Sequence, residues 1–183
     1  MKNRLLYTGL IVLFNHLLYG QTIVGNKYIN KTIGISFNVD SNWSIGIDGP
    51  IVFALNHPKG EEITLETTKL SSPDTNGFKH ITKAELTAYR AAMIETLEES
   101  SGAIVKSISA KVDKFLNFDC VTTIYHTEKQ DLLNCIPMYY KNITFLINEN
   151  YQITIIYSIP ESILSANEIK IVEKNIKTFK ILN

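Results

Sequence analysis

The chain has 183 residues, 45% of them apolar and 20% charged, and its 18 basic side chains balance 18 acidic ones. That length is enough to bury a sizeable core. A phosphate-tracking surface needs a concentrated excess of Lys and Arg, and no basic run exists here, so the balance is not that of a nucleic-acid binder.

The first residues read as a secretory signal segment: Lys2 and Arg4 precede the apolar run Leu5–Phe14, and Gly20 offers a small residue for cleavage. The run is interrupted by Asn15 and His16 and is short for roughly 30 Å of hydrocarbon. Residues 1–20 are therefore expected to be removed, leaving residues 21–183 as one domain with no stable transmembrane span. Leu18 stands where a second small residue is expected, so an uncleaved anchor is the alternative; no Cys follows the run to accept a lipid. The mature chain keeps 16 basic against 18 acidic side chains, a net charge of −2.

Gly34–Asp40 alternates at period two, which places Ile35, Phe37 and Val39 on one face of a strand. Ser41-Asn42 turns the chain into Trp43, and Ile51–Leu55 follows Gly49-Pro50 as a buried strand. His57-Pro58-Lys59-Gly60 is the turn into a return strand, Glu61–Thr67, with Ile63 and Leu65 inward and Glu62, Thr64 and Glu66 outward. Ser71–Lys79 is a loop. Thr82-Lys83-Ala84-Glu85 is a capping box opening a helix with Leu86, Tyr89, Met93 and Leu97 on one face, stopped by Ser100-Ser101-Gly102. That face is expected to lie on a sheet.

From Ala103 the period returns to two, and strands are predicted through Ile108–Val112, Phe118–Tyr125, Leu132–Tyr140, Ile143–Ile147 and Tyr151–Ser158. Asn148-Glu149-Asn150 joins the last two as a hairpin. Pro160 ends the final strand, and Ser165–Lys177 closes the chain as a helix with Ile169, Val172, Ile176 and Phe179 on one side. Adjacent strands with only two substantial helices predict an α+β fold with an antiparallel sheet covered by helices.

The order of these elements, with Tyr28-Ile29-Asn30, Gly34-Ile35-Ser36-Phe37, Asn42-Trp43, the strand Tyr151–Tyr157 and the closing Ile176-Lys177-Thr178-Phe179, resembles the PsbP-like superfamily. That superfamily includes the photosystem II subunit PsbP, a Ran-binding nuclear import factor and bacterial envelope proteins of the DcrB type. The resemblance spans nearly all of residues 28–182, although the proline common in the family's turn before Trp is missing from Asp40-Ser41-Asn42-Trp43. It implies an α/β/α sandwich and a binding or assembly role with no shared catalytic set.

Cys120 and Cys135 sit on predicted strands flanking the polar stretch His126–Asp131, and in an exported chain an even pair predicts a cross-strand disulfide. No Cys-Xaa-Xaa-Cys spacing points to redox or metal chemistry. His57, His80 and His126 fall in or beside predicted loops with no ligand spacing. Glu61-Glu62 and Glu98-Glu99 are adjacent pairs, so neither makes a catalytic dyad by itself. Tyr139, Tyr140, Tyr151 and Tyr157 suit a half-buried sheet face or, as the rival, an aromatic ligand surface. No nucleophile elbow, phosphate loop or calcium loop is present.

The expectation is an exported, periplasmic or secreted, non-enzymatic protein that binds a protein partner, as an assembly factor or as an immunity protein against a toxin. It carries no predicted catalytic residue, cofactor or metal. The competing expectation is a small-ligand carrier or enzyme with a pocket between helix and sheet.

Overall fold

The structure is a computed structural model, and it describes residues 21–182 apart from positions 25, 32–33, 49–51, 75–76, 102–103 and 132–133. The expected signal segment lies outside the described residues. Along the chain run β1 (Gln21–Val24), β2 (Lys27–Asn30), β3 (Ile35–Asn38), β4 (Ser44–Asp48), β5 (Val52–Asn56) and β6 (Glu62–Lys69). A 3-10 turn, Gly77–His80, then leads into helix α1 (Lys83–Ser101). β7 (Ile104–Phe115), β8 (Phe118–Asp131), β9 (Asn134–Asn148) and β10 (Tyr151–Pro160) follow, and α2 (Ala166–Ile176) and β11 (Lys180–Ile181) close the chain.

The described residues gather into two units, one joining the chain up to Ser41 with Glu173 onward, the other holding Asn42–Val172. The first contains an antiparallel four-stranded sheet in the order β1-β2-β3-β11. Its core includes Tyr28 against Phe37, ring centroids 5.1 Å apart. Gly34, at φ +71°, makes the turn into β3 and accepts a hydrogen bond at 2.7 Å from the Leu182 amide. Thr178 Oγ1 accepts another, at 2.7 Å, from the Asn38 amide. Sequence reasoning did not predict β1, β2 or the two-residue β11, which depend on pairing with distant partners more than on their own pattern.

The second unit contains an antiparallel sheet of seven strands, order β4-β5-β6-β10-β9-β8-β7. Period-two alternation gives it two unlike faces. One carries Phe53, Leu55, Ile63, Leu65, Phe145, Ile153, Ile155 and Tyr157, all buried. Each such side chain contributes roughly 1.5–3 kcal/mol on burial, so this face is the main source of the unit's stability. The other face, described below, is polar. This antiparallel, two-helix architecture agrees with the α+β expectation.

The capping box forms as the sequence predicts. The Thr82 amide donates to Glu85 Oε2 at 2.7 Å, and the Glu85 amide donates to Thr82 Oγ1 at 3.2 Å. None of the described side chains of α1 is buried, however; Leu86, Tyr89, Met93 and Leu97 are half-exposed, so the helix does not seal its apolar face. Two predicted strands, Leu132–Tyr140 and Ile143–Ile147, are one continuous strand, β9. The polar pair Lys141-Asn142 does not break it, because successive side chains go to opposite faces and each finds an environment there. Lys141 Nζ lies 5.8 Å from the Tyr157 ring centroid, while Asn142 joins the polar face. No helix among the described residues is long and apolar enough to cross a membrane.

Candidate functional site

Two regions of the second unit collect side chains whose placement exceeds what folding requires. The first is the end of the sheet where the β7–β8 and β9–β10 turns meet the Gly77–His80 turn. Leu116, between β7 and β8, has φ +54°, a left-handed conformation that a bulky side chain resists, and it is 46% exposed. Phe115 and Phe118 on either side anchor the hairpin on Phe145, with centroids 5.3 and 5.0 Å away. Beside this tip is a recess lined by Phe78, Phe118 and Leu146, with Asp74, Asp119 and Glu149 and one cation, Lys79, around it. Lys114 pairs with Asp119 at 2.7 Å, and Asp74 Oδ1 accepts from the Gly77 amide at 3.0 Å.

β7 continues this surface as the outer strand of the sheet, with Ile104 and Val112 exposed. Its Lys106, Lys111 and Lys114 pair with Glu128, Asp113 and Asp119. Lysines of this kind blunt an edge against unselective strand addition, which leaves the tip as the more selective feature.

The second region is the polar face of the sheet on the α1 side. Register pairs Thr123 with Asn142 and Tyr125 with Tyr140. The two tyrosine rings stack at 4.8 Å and 7°. The Asn142 side chain bonds the Tyr125 phenol, and Thr127 lies against the phenol of Tyr140. Burial drives both phenols to higher pKa and does the same to the Glu66 carboxyl, which stands on this face in β6. Tyr89 of α1 and Glu66 both lie close enough to Tyr125 to act on it electrostatically. The threonines of β9 and β10, Thr144 and Thr154, bond each other at 3.3 Å.

Sequence reasoning placed the tyrosines on strands, and the structure divides them. Tyr139 and Tyr157 lie in the apolar core 6.0 Å apart, whereas Tyr140 stands on the opposite face with Tyr125. Tyr125 was not among the four tyrosines singled out, although the alternation of Thr123, Tyr125 and Thr127 carried the signal.

The histidines are separate. His57 Nδ1 lies 2.7 Å from Glu61 Oε2, and Trp43 stacks obliquely on the imidazole at 5.1 Å. Glu61, in the turn just before β6, is 2% exposed, while its neighbour Glu62, the first residue of the strand, is exposed. Lys59 in the same turn reaches Glu168 of α2 at 2.9 Å and holds that carboxyl below its ordinary pKa. Gly60 makes the turn possible at φ +94°, where a Cβ would also meet Pro160 at 3.1 Å. His126 pairs with Glu161 at 2.7 Å, and His80 is exposed. Among the described residues no three His, Cys, Asp or Glu side chains converge to hold a metal.

The strand register does not set the two cysteines of the expected disulfide opposite one another. Register sets Cys120 opposite Phe145 and Cys135 opposite Gln130, ten residues further along the ladder. At strand rise that is about 33 Å, far beyond the roughly 7 Å between Cα atoms that a disulfide tolerates. The hairpin is longer than the sequence suggested, so both cysteines sit on paired strands but at opposite ends. Cys120 is a buried free thiol beside Thr122, and burial raises its pKa.

The seven-stranded antiparallel sheet with its two helices is a PsbP-like fold. The chain is similar to the solution structure of cyanobacterial PsbP (CyanoP) from Synechocystis sp. PCC 6803 at 14% identity, covering 87% of this chain and 97% of that one with a TM-score of 0.54. A crystal structure from Bacteroides thetaiotaomicron VPI-5482 is similar at 16% identity and a TM-score of 0.54, covering 88% of this chain. The present chain spans 50% of that protein's length. No protein-family model matches the sequence, and no curated protein does. Likeness at these identities speaks for the fold alone.

Proposed function

We propose that this is an exported, non-enzymatic protein whose mature domain, residues 21–183, binds a protein partner at the β7–β8 end of the sheet. The carrying observation is Leu116, a large apolar side chain held in a strained backbone conformation at an exposed tip. Strain of this kind persists where a task favours it, and an exposed apolar anchor beside a recess is a normal centre for protein recognition. The phenyl floor and surplus of carboxylates in the recess suit a partner segment with an apolar anchor flanked by basic residues. Assembly factor and immunity protein are the two variants of this proposal. The α/β/α layering implied by the PsbP-like resemblance belongs to it as well, as does residence in the periplasm or outside the cell.

The test places a photo-reactive amino acid at Leu116 and, as control, at exposed Lys170, in cells producing the full chain. One protein cross-linked in fixed proportion from position 116 and not from 170 is the expected result; a toxin in that band selects the immunity variant. A second variant, Leu116→Gly, relieves the left-handed strain, worth about 1–2 kcal/mol per residue, so it should fold at least as stably and lose the partner. A folded protein giving no adduct at either position would sink the proposal.

A further inference from the structure

Apart from the docking tip, we propose that β7 pairs with β7 of a second copy of this chain, antiparallel and centred on Val112, so that two seven-stranded sheets join across a two-fold axis. β7 is the outer strand of its sheet, and no described strand pairs with its free side. Such an edge presents a row of main-chain donors and acceptors ready for another strand. It is also open: Val112 is 37% exposed, and the side chains of Lys111 and Asp113 on either side of it are 64% and 39% exposed.

The charges select a second copy as the occupant. A two-fold axis perpendicular to the sheet sets one residue of the strand opposite itself and pairs residues equally far to either side of it. Centred on Val112, the axis brings Lys111 of each copy opposite Asp113 of the other, on the same face of the joined sheet. Directly opposite side chains in an antiparallel pair have Cβ atoms roughly 4.5–5.5 Å apart, within reach of an ion pair. Lys111 and Asp113 already pair along the strand, so the two copies together close a ring of four alternating charges. A shift of the axis by one residue sets Lys111 opposite Lys111 or Asp113 opposite Asp113, and like charges directly opposite one another destabilise a sheet. The strand therefore accepts one register and refuses its neighbours, which fits lysines that discourage unselective addition. On the other face Val112 meets Val112, an apolar β-branched pair that shelters both exposed side chains. Only Ser109–Phe115 of each copy is paired in this register, because β7 ends at Phe115. The contact is small, and the dimer is reversible.

The test uses the full chain recovered from producing cells. Sedimentation velocity over a concentration series should show a monomer–dimer equilibrium that shifts toward monomer as salt is raised. Asp113→Lys sets lysine opposite lysine twice and should weaken the dimer at least about tenfold. The double variant Lys111→Asp with Asp113→Lys restores opposite charges at both positions and should restore the dimer, which a merely structural role for either residue would not do. If Asp113→Lys fails to fold, Lys111→Asp carries the same test by setting aspartate opposite aspartate. A photo-reactive amino acid at Val112 should give an adduct of twice the chain's mass. A monomer at every concentration up to about 1 mM overturns the proposal. So does a dimer that folded Asp113→Lys leaves intact, or an adduct from position 112 to a foreign protein in place of the second copy. A foreign partner cross-linked from Leu116 leaves this outcome untouched, so the two proposals fail separately.

Discussion

Glu66 illustrates how a single residue can be legible in pattern and illegible in energy. Alternation placed it on the outward face of its strand with Glu62 and Thr64, and there it stands, but that face lies on the α1 side and the carboxyl is half-buried. Burial raises its pKa, so the folded state holds the proton to higher pH than the unfolded chain, whose carboxyl titrates near about 4.3. Its contribution is therefore most favourable below that value and is lost as pH rises through the folded pKa. Glu66→Gln removes the loss: thermal melts should show the variant more stable than the parent at neutral pH, with the difference gone at acid pH. Equal melting temperatures throughout would mean that the carboxyl is fully hydrated. The capping pair Thr82 and Glu85 was legible because both partners lie within one turn. The His126–Glu161 pair was not, because 35 residues separate its members.

At the scale of elements, the later strands were read with the right type and the wrong lengths. β8 and β9 extend to 14 and 15 residues, and their long pairing sets the offset that separates Cys120 from Cys135. Polarity along a strand marks its ends only when one face meets solvent; here both faces find partners, so Asn142 and Lys141 lie inside the ladder. The register has a chemical consequence. Protein unfolded in denaturant without reductant should take two alkyl groups with iodoacetamide, one at each cysteine, and the native protein should react slowly at Cys120, whose buried thiol has a raised pKa. A mass two hydrogens lower and no alkylation would establish the disulfide and refute the register.

For the whole molecule, the antiparallel α+β architecture followed from the alternating runs and the two helical patterns, and the PsbP-like likeness at 14% identity agrees with it. Export rests on residues 1–20, which are a matter of cellular processing and not of the fold. Mass spectrometry of the native protein should find its N-terminus near Gln21; an intact Met1 on protein recovered from the cytoplasm would remove export and the periplasmic variants of the proposed function together.

Local rules determined what lay within reach of a few residues: the capping box, the Lys59-Gly60 turn, the period-two strands and the turn before Tyr151. These depend on backbone sterics and on hydrogen bonds closed within a turn. Tertiary structure alone decided which polar side chains were buried, that Tyr125 should meet Tyr140 and Thr123 should meet Asn142, and that the two cysteines should stand apart. The physical reason is register. Alternation assigns each side chain to a face, but only the pairing of distant strands fixes its neighbours and what covers that face.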